Sequence, residues 1–544
     1  MSNPPASAEK EKPQAEHIEE SGSIEKGDRT DNGIDLRVLA EAAAEEKNLS
    51  VAQALWKYRA ACGYAFFLSL GACMSGFDSS ISSGVIAIPS FRNDMGSLVG
   101  NQQVVSAAWQ SGWSGAARIG QLAGGLSAGS IADRIGRKYT VLIGAVISVG
   151  AIFIQFFLRP QQPVQLLFGR TINAWSMGLF AAMASNYAAE VSPTALRGIT
   201  TGGVNFWVVL GQFLATVVVY AQGQRTDSFA YRVPYAIQWV FPIILSLGLI
   251  VIPESPWYLV RKGKHDQALH SLQQILRGSG ANPELHLRQI QETIELESLH
   301  KEEGGWIDLF KGTNRRRTII ASMVFVCQEM AGVQFVLGYS TYFFELAGFA
   351  TANAFKLGIG TLALAMVGNF IGLATIEYLG RRTLFFWGMI ACTVDCLLLG
   401  ICSVVPGQGA LWGQAAFTMI YMLAYQSGIG PVGYCVYAEI SSAQLRSKTI
   451  AWGVMVNQVF AGVVQVINPY LINPNEANLE GKVGWIFGGI GVFGTIYTWF
   501  FIPETKGRTV DEIDELFERR ISARKFSKAV ILEDRTVHVD EKAT

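Results

Sequence analysis

Twelve apolar runs, each long enough to cross a bilayer as a helix, alternate with polar segments along this chain. They lie near residues 60–82, 106–131, 140–158, 164–188, 199–221 and 233–253, then 318–345, 355–376, 384–404, 411–437, 449–470 and 483–502. Hydrocarbon offers no water to the backbone, so runs of this kind are expected to be helices. Between the sixth and seventh runs, residues 254–317 are polar but patterned. Leu269, Leu272 and Leu276, then Leu287, Ile290 and Ile294, recur at helical spacing and predict two amphipathic helices under the bundle. Residues 1–55 are Glu-rich and lack the apolar core of a signal peptide, which predicts a disordered cytosolic tail. The expected organisation is thus a tail (1–55), a six-helix half (56–253), a linker (254–317), a second six-helix half (318–502) and a C-terminal cytosolic tail (503–544).

Lys and Arg cluster after the even-numbered spans: ADRIGRK after the second, SPTALRG after the fourth, WYLVRKGK after the sixth, YLGRRT after the eighth, SSAQLRSK after the tenth and TKGR after the twelfth. All fall on one side, which the positive-inside rule makes cytoplasmic, with both termini on it. Asn48-Leu49-Ser50, the single N-x-S/T sequence, is then cytosolic and is expected to stay unglycosylated.

The chain also repeats itself. EVSPTALR at Glu190 returns as EISSAQLR at Glu439, PES at Pro253 returns as PET at Pro503, and DRIGRK at Asp133 returns as EYLGRR at Glu377. Three motifs in one order at nearly one offset predict two homologous halves, an organisation that builds alternating-access transporters with a site between the halves near the midplane.

Composition agrees with a polytopic membrane protein: 50% of the 544 residues are hydrophobic, 16% are charged, and 43 basic residues balance 43 acidic ones. Nothing in that balance suggests nucleic acid. Seven cysteines lie within or beside apolar runs and read as packing residues, with no disulfide framework and no metal-ligand spacing. All six histidines lie in polar segments, so carboxylates are the candidate proton carriers inside the membrane. Asp78 is the first of them, and a charge placed there marks a functional site by default. The alternative is an Asp near a helix end that reaches for headgroups. Glu329 and Asp395 also lie in apolar runs, as does Arg118, to which no partner can be assigned. No nucleophile–His pairing or phosphate-binding glycine loop points to an enzyme, and Gly489-Ile490-Gly491 reads as packing glycines.

GSIADRIGRK, GRTINAWSMG, NYAAEVSPTALRG, PESPWYLVRKGK, QEMAGVQFVLGYS and PETKGRT together resemble the sugar porters of the major facilitator superfamily, over roughly residues 60–515. YSTYFFELAG and EISSAQLRSKTIAW are most similar to fungal α-glucoside (maltose-type) permeases. The resemblance implies an all-α membrane protein with twelve transmembrane helices in two six-helix pseudo-repeats, the major facilitator fold. It also implies a gating role for charges at the cytoplasmic helix ends: Asp133, Arg134, Arg137, Glu190, Arg197 and Glu254 in the first half, and Glu377, Arg381, Arg382, Glu439, Arg446 and Glu504 in the second. Their alternative role is to set topology, for which acids are not needed. Glu377 in place of Asp, and Ser442 in place of Pro193, are expected to soften the second latch.

Span 1 runs outward and span 4 inward, so Asp78 and Arg170 fall at similar depth and are expected to pair. An Asp at this position marks proton-coupled members of the family, and an Asp that alternates between an arginine and a protonated state can carry a proton. For a sugar site, amides and aromatic faces are the fitting chemistry. Asn205, Gln212 and Thr216 share one face of span 5, and Gln328, Phe335, Tyr339 and Tyr342 share one face of span 7. Gln334 leaves that face unless the helix bends near Gly332 or Gly338, and span 11 adds Asn457 and Gln458. The resemblance assigns sugar contacts to Gln328, Gln334, Asn205 and Asn457. Departures from the family are Glu329 for a second Gln, Gly338 for Tyr, and Tyr434 for a span-10 Trp. These fit a substrate larger than a hexose, although Glu329 equally suits a cationic ligand, and any one amide here suits plain helix–helix bonding.

The expected function is a plasma-membrane sugar:proton symporter working by alternating access. It would carry a disaccharide such as an α-glucoside, with sugar, proton and bilayer as partners, no cofactor or metal, and a monomeric state. The alternatives are a sugar-porter-like carrier of a non-sugar metabolite, a facilitative hexose carrier, and a nutrient sensor, against which the short stretch after Pro503 argues.

Overall fold

The computed structural model describes residues 51–99, 102–192, 194–223, 225–299, 305–442, 445–506, 508, 510–531 and 537–539. The expected tail up to residue 50, the Asn48 sequon, Pro193, and the side chains of Arg197, Glu377 and Arg446 lie outside the described residues.

Every predicted span is helical. Span 1 is Arg59–Leu68 continued by Leu70–Gly84, and spans 2 to 5 are Ala107–Ile135, Arg137–Phe156, Pro163–Val191 and Thr194–Gln222. Span 6 is split into Phe229–Ile237 and Val240–Gly248. In the second half, span 7 is Gly312–Gln328 and Gln334–Leu346 joined by a wide turn, Glu329–Val333. Spans 8 and 9 are Thr351–Leu379 and Arg381–Val404; span 10 is Gln408–Ala424 and Gly430–Ile440 joined by a similar turn, Tyr425–Ile429. Spans 11 and 12 are Arg446–Ile472 and Val483–Phe501. Eight of these helices cross a bilayer on length and apolarity alone. Spans 2, 4, 6 and 10 do not reach that mark: 2 and 4 carry a guanidinium and several amides, and 6 and 10 are interrupted.

Helices in a bilayer pack through close approach rather than through expulsion of water. Spans 1 and 5 show this at Gly76 and Gly211, where an added Cβ would lie 2.0 Å from the Val208 carbonyl oxygen and 1.9 Å from that of Cys73.

Helical structure extends beyond the bundle at residues 51–57 and 510–518. Helix Val51–Lys57 begins inside the predicted tail, because Ala54 and the adjoining Tyr58 have an apolar surface to bury. Helix Val510–Glu518 docks under span 7 with Leu516 and Phe517 buried, Asp514 paired to Arg317, and the Arg317 guanidinium 4.7 Å from the Phe517 ring. Among the described residues the linker forms α-helices Pro256–Arg261, His265–Ile275 and Pro283–Leu299 and a short 3-10 helix, Trp306–Phe310. Leu272 and Ile290 meet there over Leu259 and Val260, as the helical spacing predicted.

The Lys/Arg-rich ends of the halves are built alike. Span 3 starts at Gly136 (φ 97°, ψ 166°) and span 9 at Gly380 (φ 87°, ψ 160°), a backbone region that only glycine occupies readily. The exposed amides of each new helix need acceptors, and a Glu from the far end of the same half supplies them. Glu254 accepts from Arg137 N at 3.0 Å and Lys138 N at 3.2 Å; Glu504 accepts from Arg381 N at 2.9 Å and Arg382 N at 3.2 Å. Burial pushes the Glu254 carboxyl up from its ordinary range, while the amides of Ser255, Arg137 and Lys138 pull it down.

Gly136→Ala and Gly380→Ala test this construction. A Cβ would come within 2.4 Å of Glu254 Oε2 at Gly136 and 2.5 Å of Glu504 Oε2 at Gly380. Backbone strain alone is expected to cost about 1–3 kcal/mol at each position. Thermal unfolding of purified protein in detergent should show both variants clearly less stable than wild type, and an unchanged midpoint would refute the account.

Candidate functional site

At the Lys/Arg-rich end of the first half, Arg137 is held by two carboxylates. Its Nη2 donates to Glu190 Oε1 at 2.7 Å, and Asp133 Oδ1 lies 3.5 Å from Nη1. In the second half Arg381 donates to Glu439 at 3.1 Å, and Thr505 bonds the other oxygen of that carboxylate. These bonds cross helices but stay inside one half. Arg134 is exposed, and Arg382 donates instead to the Trp499 carbonyl oxygen at 2.8 Å, so neither joins a latch.

The described bonds between the halves lie elsewhere. At the face opposite the Lys/Arg-rich loops, Arg92 pairs with Glu345 at 3.1 Å and Ser111 donates to the Val466 carbonyl oxygen at 2.6 Å. Gln110 donates to Asn473 at 3.3 Å, and Asn473 to the Val105 carbonyl oxygen at 3.1 Å. These bonds join the two halves at that face.

Asp78 is 6% exposed on span 1, and its direct donor is Asn173 of span 4, at 2.8 Å. Asn173 also donates to Gln238 of span 6 at 3.0 Å and accepts from Ser148 of span 3 at 2.7 Å. Arg170, expected to pair with Asp78, is buried at similar depth and within electrostatic reach, but it is not among the ion pairs. Its Nε has no hydrogen-bond partner. Asn173 takes the carboxylate because it sits one turn further along the same face of span 4. That spacing is the sequence signal that would have found it.

At the centre, span 7 bends where Gly332 adopts φ 99° with the Phe487 ring packed against it. The bend turns Gln334 inward. Gln334 donates to Glu329 Oε2 at 2.7 Å, and Asn457 donates to Glu329 Oε1 at 2.8 Å. Arg118 reaches from span 2 into this group, donating to Gln465 at 2.9 Å, Gln458 at 3.0 Å, and Gln334 and Gln121 at 3.3 Å. The partners that spacing left unassigned are therefore four glutamines, three of them in the other half. Guanidinium and carboxylate are bridged by one amide, and the cluster ties the halves at mid-depth.

Other predicted residues fall around this cluster. Gln328 donates to the Tyr425 hydroxyl at 2.6 Å and leaves Oε1 buried and unbonded, and Gln212 Oε1 is likewise buried and free. Asn205 faces Gln426 across the halves at 3.5 Å. Tyr339 is buried and faces Arg170, whereas Tyr434 is 43% exposed with its ring edge-on to Phe325. Phe335 packs against Phe343 and Phe487 in the core and does not line the site. Asp395 lies on span 9 beside Cys392 and Cys396, away from these amides. Sequence reasoning missed Gln121, Gln426, Gln465 and Tyr425, whose meaning depends on which helices face each other.

A buried charge is costly to strand. Arg118→Ala is expected to destabilise the purified protein by about 3–5 kcal/mol by leaving Glu329 without its counter-charge. The pair Arg118→Gln with Glu329→Gln should recover most of that loss in a double-mutant cycle of thermal unfolding. Additive effects would show that the two groups are independent.

Comparison with known proteins gives a consistent picture. The family model "Sugar (and other) transporter" matches residues 64–517. The general alpha-glucoside permease of Saccharomyces cerevisiae is 33% identical over 499 residues, covering 90% of this chain and 80% of the relative. Maltose permease MAL31 of the same yeast is 33% identical over 500 residues, covering 90% and 81%. Among solved structures, the partially occluded inward-open conformation of the xylose transporter XylE from E. coli superimposes with a TM-score of 0.68 at 22% identity, covering 84% of this chain and 99% of that one.

Proposed function

The chain belongs to the sugar (and other) transporter family, and from that premise we propose that it is a proton-coupled sugar symporter of the plasma membrane with both termini cytoplasmic. It is a transporter with the major facilitator fold and not an enzyme. The proposed cargo is a disaccharide of the α-glucoside kind, as named for the yeast relatives.

One observation carries the proton coupling: a buried carboxylate held by an amide, with an unsaturated guanidinium beside it. Asp78 rests on Asn173, while Arg170 keeps a buried Nε without a partner. Protonated, Asp78 is neutral and costs little in that setting. Ionised, it is attracted to Arg170. Alternation between these states during the rocking of the halves loads a proton outside and releases it inside. The Arg137 and Arg381 latches serve as the gate elements, each stiffening its own half so that the halves move as units. The sugar hydroxyls meet the amides of Gln328, Gln334, Asn205, Gln212 and Asn457, with Tyr339 and Tyr434 as ring surfaces and Glu329 as an acceptor.

A second reading, a carrier of a charged metabolite, has Arg118 and Glu329 in its favour.

Uptake and counterflow in proteoliposomes, with labelled maltose and with charged metabolites, separate the two. Wild type should accumulate maltose under an inward proton gradient. A single charge moving through 100 mV supplies about 2.3 kcal/mol, or about fifty-fold accumulation. Asp78→Asn should keep exchange and lose accumulation. Exchange of a charged metabolite alone would replace the sugar reading with the second.

A further inference from the structure

Two arginines from distant parts of the chain meet one exposed tryptophan at the Lys/Arg-rich end of the second half. The Arg382 guanidinium, at the start of span 9, lies 5.6 Å from the Trp499 ring. That of Arg524 lies 5.4 Å from the same ring and 5.7 Å from the Phe500 ring. The two cations are close enough to repel each other, and neither is ion-paired with a carboxylate among the described residues. Glu504, the acid within electrostatic reach of Arg382, gives its oxygens to the backbone amides of Arg381, Arg382, Thr505 and Lys506. In the first half two cations also share a ring, Arg137 and Lys262 at Tyr258, but there Arg137 has Glu190 and Asp133.

Both arginines are held in place. Arg382 donates to the Trp499 carbonyl oxygen at 2.8 Å. Arg524 belongs to the short segment Ala523–Lys528, pinned by buried Ala523 and Phe526, by the Phe517 ring, and by Arg508, which donates to the carbonyl oxygens of Phe526 and Ala529. Aromatic residues fix the depth: Trp387 on span 9 and Trp499, Phe500 and Phe501 on span 12 are exposed at one end of helices apolar enough to cross a bilayer. Tryptophan at the end of a span marks the headgroup level. Guanidinium groups without a counter-ion at that level, beside an apolar ring surface, suit a phosphate whose acyl chains continue into the bilayer. Residues 519–528 add five basic residues with no acidic one among them.

We propose that Arg382, Arg524 and Trp499 form a site for the headgroup of an anionic phospholipid in the leaflet on the Lys/Arg-rich side. The phosphate relieves the repulsion between the guanidinium groups and ties the C-terminal segment to spans 9 and 12, while the acyl chains lie along Trp499 and Phe500. The site is separate from the central amides and holds for any cargo.

The test is lipid retention by the purified full chain, read by native mass spectrometry after exchange into phosphatidylserine or phosphatidylcholine, with thermal unfolding as a second readout. Wild type should retain phosphatidylserine about ten-fold better than phosphatidylcholine and be stabilised by it, as two arginines at a lipid surface predict. Arg382→Gln with Arg524→Gln should bring that preference to about two-fold or less. Arg524→Gln alone, a change at an exposed side chain that leaves the fold intact, should give an intermediate loss. Lys262→Gln with Lys264→Gln removes the same charge from the Lys/Arg-rich end of the first half and should leave the preference unchanged. An equal loss in that control, or full preference in the double arginine variant, overturns the site. Inorganic phosphate that displaces phosphatidylserine would make this a site for free anions and overturn the lipid assignment.

Discussion

A charged or amide side chain carried into hydrocarbon must find its hydrogen-bond partners on neighbouring helices, and in this chain that requirement decides which helices face one another. Asp78 draws spans 1, 3, 4 and 6 together through Asn173, Ser148 and Gln238. Arg118 does the same between the halves, joining span 2 to spans 7 and 11. Most of the remaining surface of these helices is apolar and fits many arrangements, because lipid tails are as apolar as leucine. The polar clusters remove that freedom.

The clusters differ in what they leave unfinished. Around Glu329 both carboxylate oxygens accept an amide and each nitrogen of the Arg118 guanidinium meets a glutamine oxygen, so few donors or acceptors there are spare. Around Asp78 the neighbouring guanidinium keeps an unbonded nitrogen, and Gln328 and Gln212 keep buried, unbonded oxygens. Unmet capacity of this kind is what a moving proton or an arriving hydroxyl can use. The wide turns in spans 7 and 10 bring two such groups into register, placing Gln328 against Tyr425.

The spans and the two-fold repeat were legible in the sequence because length, apolarity and recurring motifs are local properties. Candidate site residues were legible as residue types in apolar runs. Their partners were not. Arg170 looked like the mate of Asp78 by depth, yet depth leaves rotation about the helix axis undetermined, and a shift of one turn substitutes Asn173. Gln334 looked misplaced on an ideal helix, and only the positive φ at Gly332 turns it toward Glu329. Arg118 had no visible partner because three of its four acceptors sit in the other half, 216, 340 and 347 residues away. Helix Val510–Glu518 was missed although its signal is in the sequence, since Val510, Ile513, Leu516 and Phe517 recur at helical spacing within an acidic stretch.

The self-contained latches bear on how the chain is made. Glu254, Glu190 and Arg137 all lie in the first 261 residues, with the short helix Pro256–Arg261 and its Tyr258 ring beneath the Arg137 guanidinium. The first half can thus fasten its own cytoplasmic end while the ribosome is still translating the linker, before span 7 enters the membrane. Glu504, by contrast, follows all six helices of the second half, so that half stays unfastened until its last span has been made. During biogenesis the two copies of one architecture pass through unequal exposure: the second waits longest with the amides of span 9 uncapped, and membrane-resident chaperones and quality-control proteases have their longest access there.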